Sequence, residues 1–318
     1  MARDLSGCTV VITGASSGIG RAAAYEFARR GSRLALAARG RGRLEEVARE
    51  CERLGVQAIA VSTDVRDEAA VERLARAAVE RLGRLDVWVN CAGVMAYGRF
   101  EEVPSHVFRT VIETNLMGQV HGARAALRRF REQRSGVVIN MGSVWGRVTA
   151  PEVSAYVTSK FAVRAFSECL RQELRDLPDV DVATMLPQAV DTPIFENAAN
   201  YAGRIVRPIP PLVDPEDVAR GIVACAQSPK REVTYSHVGR AVELIHAAAP
   251  SVYNRLLPPA FEAGNYGEEA VETGPGGVLS SRNGGAVRGG WKTERRNELR
   301  RALGSALAGL GRGLRPRR

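Results

Sequence analysis

Short apolar, β-branched runs alternate along the first 240 positions with longer stretches whose apolar residues recur every three or four places. Residues 8–13, 33–39, 58–62, 86–90, 136–141 and 180–186 read as buried strands, with a further short strand at 232–235. Residues 21–30, 43–54, 67–82, 105–134, 156–177 and 215–227 read as helices. Strands and helices that alternate this closely imply right-handed crossovers and a parallel sheet covered by helices on both faces. The expected fold class is therefore α/β, a doubly wound parallel sheet in a single domain. Residues 187–215 are Pro-rich and irregular.

The pattern changes after residue 240. Residues 242–257 are apolar but cut by Pro250, which suits two short helices lying on the body or on a lipid surface. Residues 263–291 are rich in Gly and Ser, the composition of a flexible linker. Farther on, Leu299, Leu303, Leu307 and Leu310 recur at helical spacing between Arg-rich flanks. That pattern fits a basic amphipathic helix able to rest on an anionic membrane, or else a disordered charged tail. The expected organisation is a catalytic domain over 1–262, its last part (about 240–262) a helical extension, followed by a basic tail over 263–318.

Charge sharpens this division. The net charge of +10 invites a nucleic-acid partner, but from Arg282 onward there are eleven Lys/Arg against two Glu, which leaves residues 1–281 at +1. A polyanion or membrane would thus meet the tail, not the body, and no base-reading motif supports a specific nucleic acid. The five cysteines include no C-x-x-C pair, and the four histidines have no metal-ligand spacing, so free thiols and no metal are expected. No run reaches the ~18 apolar residues of a spanning helix, and the N-terminus lacks a signal-peptide core. A cytoplasmic protein follows, with any membrane contact peripheral and weak, through the tail.

Candidate chemistry sits where strands end. The first strand runs into Gly14-Ala15-Ser16-Ser17-Gly18-Ile19-Gly20 and then a helix. Glycines there let backbone approach a pyrophosphate, and the free N–H groups and dipole of the helix favour its charge. The spacing is G-x-x-x-G-x-G, not the G-x-G-x-x-G of the usual dinucleotide fingerprint. The second strand ends at Ala38-Arg39, with Arg41 and Arg43 after it and no carboxylate for a ribose 2′-hydroxyl. Guanidinium groups at that point suit the 2′-phosphate of NADP(H), with NAD(H) second. Ser143 follows the fifth strand, and Tyr156 and Lys160 stand four apart, on one face of a helix. A phenol near ~10 is a poor acid at neutral pH, and a close ammonium favours its ionised form.

These pieces together resemble the short-chain dehydrogenase/reductase family over about residues 5–240: the 13–20 turn, Asp64-Val65, Asn90-Cys91-Ala92-Gly93, Asn115, Ser143, Tyr156-x-x-x-Lys160, and Pro187 with Thr192. The resemblance implies a Rossmann-type fold, self-association as a homodimer or homotetramer, and interconversion of a carbonyl and a secondary alcohol. It implies Tyr156 as general acid/base, Ser143 holding the substrate oxygen, Lys160 binding the nicotinamide ribose and depressing the Tyr156 pKa, and Asn115 holding a relay water. Gly14, Ser16, Ser17, Gly18, Ile19, Gly20, Asp64, Val65, Asn90, Ala92, Gly93, Pro187, Val190 and Thr192 would join Arg39, Tyr156 and Lys160 in holding the cofactor. Cys91 and Gly142 depart mildly from the family pattern, and Gln188 replaces a glycine that commonly follows Pro187.

The segment after Thr192 is expected to cover the substrate as a lid. Ile194, Phe195, Tyr201, Ile205 and Val206, with Trp145 and Val148, suggest an apolar pocket for a hydrophobic ketone or alcohol such as a lipid, steroid-like or aromatic carbonyl. The alternative function is an NADP(H)-binding sensor or scaffold with little turnover.

Overall fold

A computed structural model of the chain describes residues 2–235, 237–281 and 285–294. From the N-terminus, β1 (Thr9–Thr13), α1 (Gly18–Ala28), β2 (Arg33–Ala38), α2 (Arg41–Arg53), β3 (Ala58–Ser62), α3 (Glu68–Leu82) and β4 (Val87–Asn90) alternate as the apolar pattern predicts. A two-residue strand, β5 (Ala96–Tyr97), precedes α4 (Ser105–Ile112), α5 (Gly118–Gln133), β6 (Gly136–Met141), α6 (Ser154–Glu173) and β7 (Val180–Leu186). Then come β8 (Ala199–Asn200), β9 (Arg204–Val206), α7 (Pro215–Gln227), β10 (Glu232–Thr234), α8 (His237–Ala248), α9 (Pro250–Asn265) and β11 (Tyr266–Ala270).

Seven strands form one parallel sheet in the order β10-β7-β6-β4-β1-β2-β3. The chain winds outward from β1 in one direction and from β4 in the other, so the order reverses between these neighbours. A crevice opens at such a switch point, outside the carboxyl ends of the strands. The register aligns those ends, pairing Thr13 with Ala37 on one side and Asn90 on the other, and Asn90 with Asn140. Every β1, β4 and β6 residue is buried, which explains why these strands read as continuous apolar runs. Phe27, Leu44, Val47 and Ile222 pack on one face of the sheet; Val71, Leu74, Phe130 and Leu170 pack on the other.

Local signals set the helix ends. The Asp67 side chain accepts from the Ala69 N–H at 2.9 Å and caps α3, a contact worth about 1 kcal/mol, and Gly83 at φ +96° ends it. Pro250 takes the first turn of α9, where its missing N–H costs nothing, so the apolar 242–257 stretch divides there into two helices. The helical segment expected over 105–134 is broken by one π turn, Glu113–Met117, with Asn115 at its centre. Such turns concentrate at functional sites.

The flexible linker expected over 263–291 is not what the described residues of that stretch form. β11 pairs antiparallel with β9, Tyr266 facing Val206. Val278 is fully buried and Trp291 nearly so. Gly and Ser dominate the composition, but isolated large apolar side chains, each worth about 2 kcal/mol on burial, pin the chain to the body. The Leu299 to Leu310 repeat lies outside the described residues. All five cysteines are free thiols; Cys51 and Cys225 are buried as their apolar runs suggest, whereas Cys169 is exposed.

Candidate active site

The glycine turn presses its backbone against the end of β4. Gly14 stands at φ +69°, and a Cβ there would lie 2.7 Å from the Ala92 Cα. A Cβ on Gly20 would lie 2.3 Å from the Gly14 carbonyl oxygen, so neither position accepts a side chain. Ser17 enters α1 in an extended conformation and makes no side-chain cap, leaving the N-terminal N–H groups turned to the crevice. One of them, Gly18, donates to the Ala286 carbonyl at 3.0 Å.

A cleft of about 460 Å³ runs from this turn past Arg39, Asp64, Val65, Ala92 and Gly93 to Tyr156, Lys160, Pro187, Val190 and Thr192. It therefore gathers every cofactor-site residue expected from the sequence except Asn90. The Asn90 side chain is turned into the sheet, 1% exposed. Its Oδ1 accepts from Trp88 Nε1 at 2.8 Å, and its Nδ2 donates to Asn140 Oδ1 at 2.9 Å and to the Gln119 carbonyl at 3.2 Å. Three partners inside the core hold that side chain away from the cleft and give it a structural role. Asn115 is likewise buried: its Oδ1 accepts from Val94 N–H at 2.8 Å, and its Nδ2 donates to the Val94 carbonyl and to Ser159 Oγ. It fixes the segment after β4 rather than lining the cleft.

At the far end of β2, Arg39 alone of the three expected guanidinium groups lines the cleft; Arg41 is turned outward and pairs with Glu45. Arg39 donates to the carbonyls of Gly277 (2.8 Å), Val278 (3.1 Å) and Ser280 (3.3 Å). Asp64 is clasped by Arg66, Nη2 to Oδ2 at 2.6 Å, a partner the sequence reading missed. Burial opposes ionisation of Asp64, but the Arg66 hydrogen bonds and charge hold its carboxyl below the usual range. The residues present fit a dinucleotide: a cradle that any Cβ would fill at one end, a guanidinium near the second strand, and a long cleft between.

At the other end, Tyr156 stands on the first turn of α6, close enough to Ser143, just past β6, for that hydroxyl to influence the phenol. Ser143 Oγ also accepts from the Trp145 N–H at 3.2 Å. Lys160, one turn on, places Nζ 5.4 Å from the Tyr156 ring centre and donates to the Met141 carbonyl at 2.7 Å. Burial pushes the Tyr156 phenol up to about 12, the Ser143 hydrogen bond pulling the other way. Burial also brings the Lys160 ammonium down to about 8, with Cys91 opposing. Burial is therefore the dominant influence on the phenol, while the Lys160 ammonium is bonded to the Met141 carbonyl. Gly142 has a steric reason: a Cβ there would lie 2.6 Å from Leu186 Cδ2. Gln188 reaches across to donate to the Pro211 carbonyl at 2.6 Å, tying the strand end to the expected lid.

The phenol end is apolar. Trp145, Val148, Ile194 and Phe195 line it as expected, whereas Tyr201, Ile205 and Val206 do not. Val206 is occupied in pairing with β11, and Tyr201 packs against the cluster around Val107. The sequence reading missed Met95, Tyr97, Val242, Leu257 and Phe261, which complete the wall. Phe261 meets Trp145 edge to face at 6.1 Å. The apolar run cut by Pro250 indicated the α8–α9 helices, but not that they would close this pocket.

Residues 8–202 match the family described as short chain dehydrogenase. The chain is 34% identical over 258 residues to an uncharacterized oxidoreductase, YxnA, of Bacillus subtilis, spanning 80% of this chain and 72% of that protein. It is 34% identical over 227 residues to the 3-dehydrosphinganine reductase of Danio rerio, covering 69% and 68% respectively. Among solved structures, a short chain dehydrogenase/reductase from Burkholderia phymatum in complex with NAD superposes with a TM-score of 0.71 at 27% identity, covering 79% of this chain and 96% of that one. An alcohol dehydrogenase from Thermococcus sibiricus complexed with 5-hydroxy-NADP superposes with a TM-score of 0.63 at 31% identity, covering 72% and 95%.

Proposed function

The chain belongs to the short-chain dehydrogenase/reductase family, an NAD(P)-dependent oxidoreductase acting on CH–OH groups, and from that premise we propose that it is NADP(H)-dependent and reduces a hydrophobic ketone, or oxidises the matching secondary alcohol. One juxtaposition carries this reading: Tyr156, with Ser143 near it and Lys160 beside its ring, stands at the apolar end of a cleft whose other end is the glycine turn.

Bound in the cleft, the nicotinamide would supply or take up the hydride. Tyr156 delivers its proton to the substrate oxygen, and Ser143 holds that oxygen beside the phenol. Lys160 in its charged form steadies the phenolate that develops. Gly14, Gly18 and Gly20 admit the pyrophosphate, and Thr192, 5% exposed, lines the same cleft beside Gly18. Arg39, which follows β2 with no carboxylate at that strand's own end, supports NADP(H) over NAD(H).

The apolar wall supports a hydrophobic substrate, and so does the outer surface beside it. Val242 and Leu257 line the pocket while Leu244 and Leu256, on the same helices, are 70% and 62% exposed. That surface also supports peripheral membrane contact, since among the described residues no helix is long and apolar enough to cross a membrane. Exposed Met117 and Phe161, on neighbouring helical elements, support self-association of a cytoplasmic enzyme as a dimer or tetramer. A second reading, cofactor binding with little turnover, draws on Lys160, whose ammonium is bonded to Met141 rather than poised on the phenol.

The test is NADPH consumption against a panel of long-chain, steroid-like, aromatic and small polar ketones, with NADH alongside. Tyr156→Phe should lower turnover about a thousandfold while leaving NADPH affinity in place. Turnover restricted to small polar carbonyls would refute the substrate class. Preference for NADH would refute the role of Arg39, and NADPH binding without turnover would favour the second reading.

A further inference from the structure

Two stretches of the C-terminal region, 277–281 and 285–289, lie across the cofactor end of the cleft, and their contacts fall on the groups a dinucleotide phosphate would use. Gly277, Val278 and Ser280 present three carbonyl oxygens to the Arg39 guanidinium. Ala286 presents another to the Gly18 N–H, and Gly285 one to Arg21 Nη1 at 2.5 Å. Arg39 has donors to spare, but Gly18 has a single N–H aimed out of the helix N-terminus. A phosphate oxygen and the Ala286 carbonyl cannot both accept from it along the same line.

We propose that these stretches form a strap that competes with the cofactor for its own phosphate-binding donors. The inference rests on the cofactor cleft assigned above. Each carbonyl–guanidinium bond is a contact to a neutral acceptor, weaker than the charge-assisted, bidentate pair a phosphate makes. The polar contacts of the two stretches are therefore displaceable. The ends of the strap are not held the same way. Val278 is fully buried among Ala96, Val107 and Ala199. Trp291 packs edge to face on Phe195 at 6.2 Å and takes the Asp191 carboxylate with its backbone N–H at 2.9 Å. Two apolar anchors let the carbonyls between them, those of Ser280, Gly285 and Ala286, exchange for phosphate oxygens without the stretches leaving the protein. Competition of this kind is reciprocal: what loosens the strap tightens the cofactor, and cofactor loosens the strap.

The test uses the full chain. Arg288, whose side chain is 52% exposed, lies in the strap and is a tryptic site once the backbone lifts. NADPH should accelerate cleavage after Arg288, followed by mass spectrometry. Trp291→Ala and Val278→Asp, which release opposite anchors, should each speed that cleavage without cofactor and lower the NADPH Kd about tenfold by fluorescence titration. Protection of Arg288 by NADPH would overturn the proposal, since the strap would then close over the cofactor. So would variants whose Arg288 is freed but whose NADPH affinity is unchanged or weaker; the cofactor cleft itself would stand in that case. Failure of every form, strap released or not, to bind either NADPH or NADH would overturn both the strap and the cleft assignment.

Discussion

Replacing Asn90 by Leu separates the two roles that this residue could have. Leucine has the branching and heavy-atom count of asparagine, so the change removes polar atoms without opening a cavity. In the native chain Asn90 satisfies the Trp88 indole N–H at 2.8 Å and the Asn140 amide oxygen at 2.9 Å, in surroundings where all three residues are at most 1% exposed. Both groups are left without those partners in the variant. A buried donor or acceptor stranded in this way costs about 1–3 kcal/mol, so the pair costs about 4 kcal/mol. The Gln119 carbonyl, also bonded by Asn90, adds to this. At roughly 2–3 °C per kcal/mol for a chain of this size, the thermal midpoint followed by far-UV circular dichroism should fall by about 10 °C. Measured well below the transition, NADPH affinity should stay within about twofold, because the side chain faces away from the cleft. A midpoint shift under about 2 °C would refute the network as a source of stability. Tenfold weaker NADPH binding with unchanged stability would restore Asn90 to the cofactor.

Two further outcomes follow from contacts at the opposite ends of the cleft. Gly20→Ala places a Cβ 2.3 Å from the Gly14 carbonyl oxygen, a backbone clash no rotamer relieves, so NADPH affinity by calorimetry should fall at least about a hundredfold; near-native affinity would show that the turn is not the phosphate site. Lys160 loses its proton as pH rises through about 8, and the charged form is the one that steadies the phenolate. NADPH-dependent reduction at saturating cofactor should therefore be level below pH 8 and decline above it, and a profile still level at pH 9.5 would refute that role.

The strand and helix pattern was legible because each element announces itself locally. β3, β6, β7 and α7 fall on the residues their apolar runs indicated. The glycine turn and the Tyr156–Lys160 pair were legible for the same reason: a tight turn needs glycine where backbone meets backbone, and a four-residue spacing fixes two side chains on one helical face. Long-range contacts were a different matter. Asn90 carries a residue type expected of a cofactor ligand, and only the fold shows that its side chain is held by Asn140, 50 residues on. Composition alone made residues 263–291 a linker, because Gly and Ser lower the average apolar content of a segment. Whether Val278 and Trp291 find pockets depends on surfaces built by residues about 100 to 180 positions earlier. The sequence by itself determined the periodicities, the turn and the reactive pair, since these rest on spacing within one element. Tertiary structure alone decided which polar groups face the cleft, which helices close its apolar end and what lies across its phosphate donors, because each is settled by competition among partners far apart in the chain.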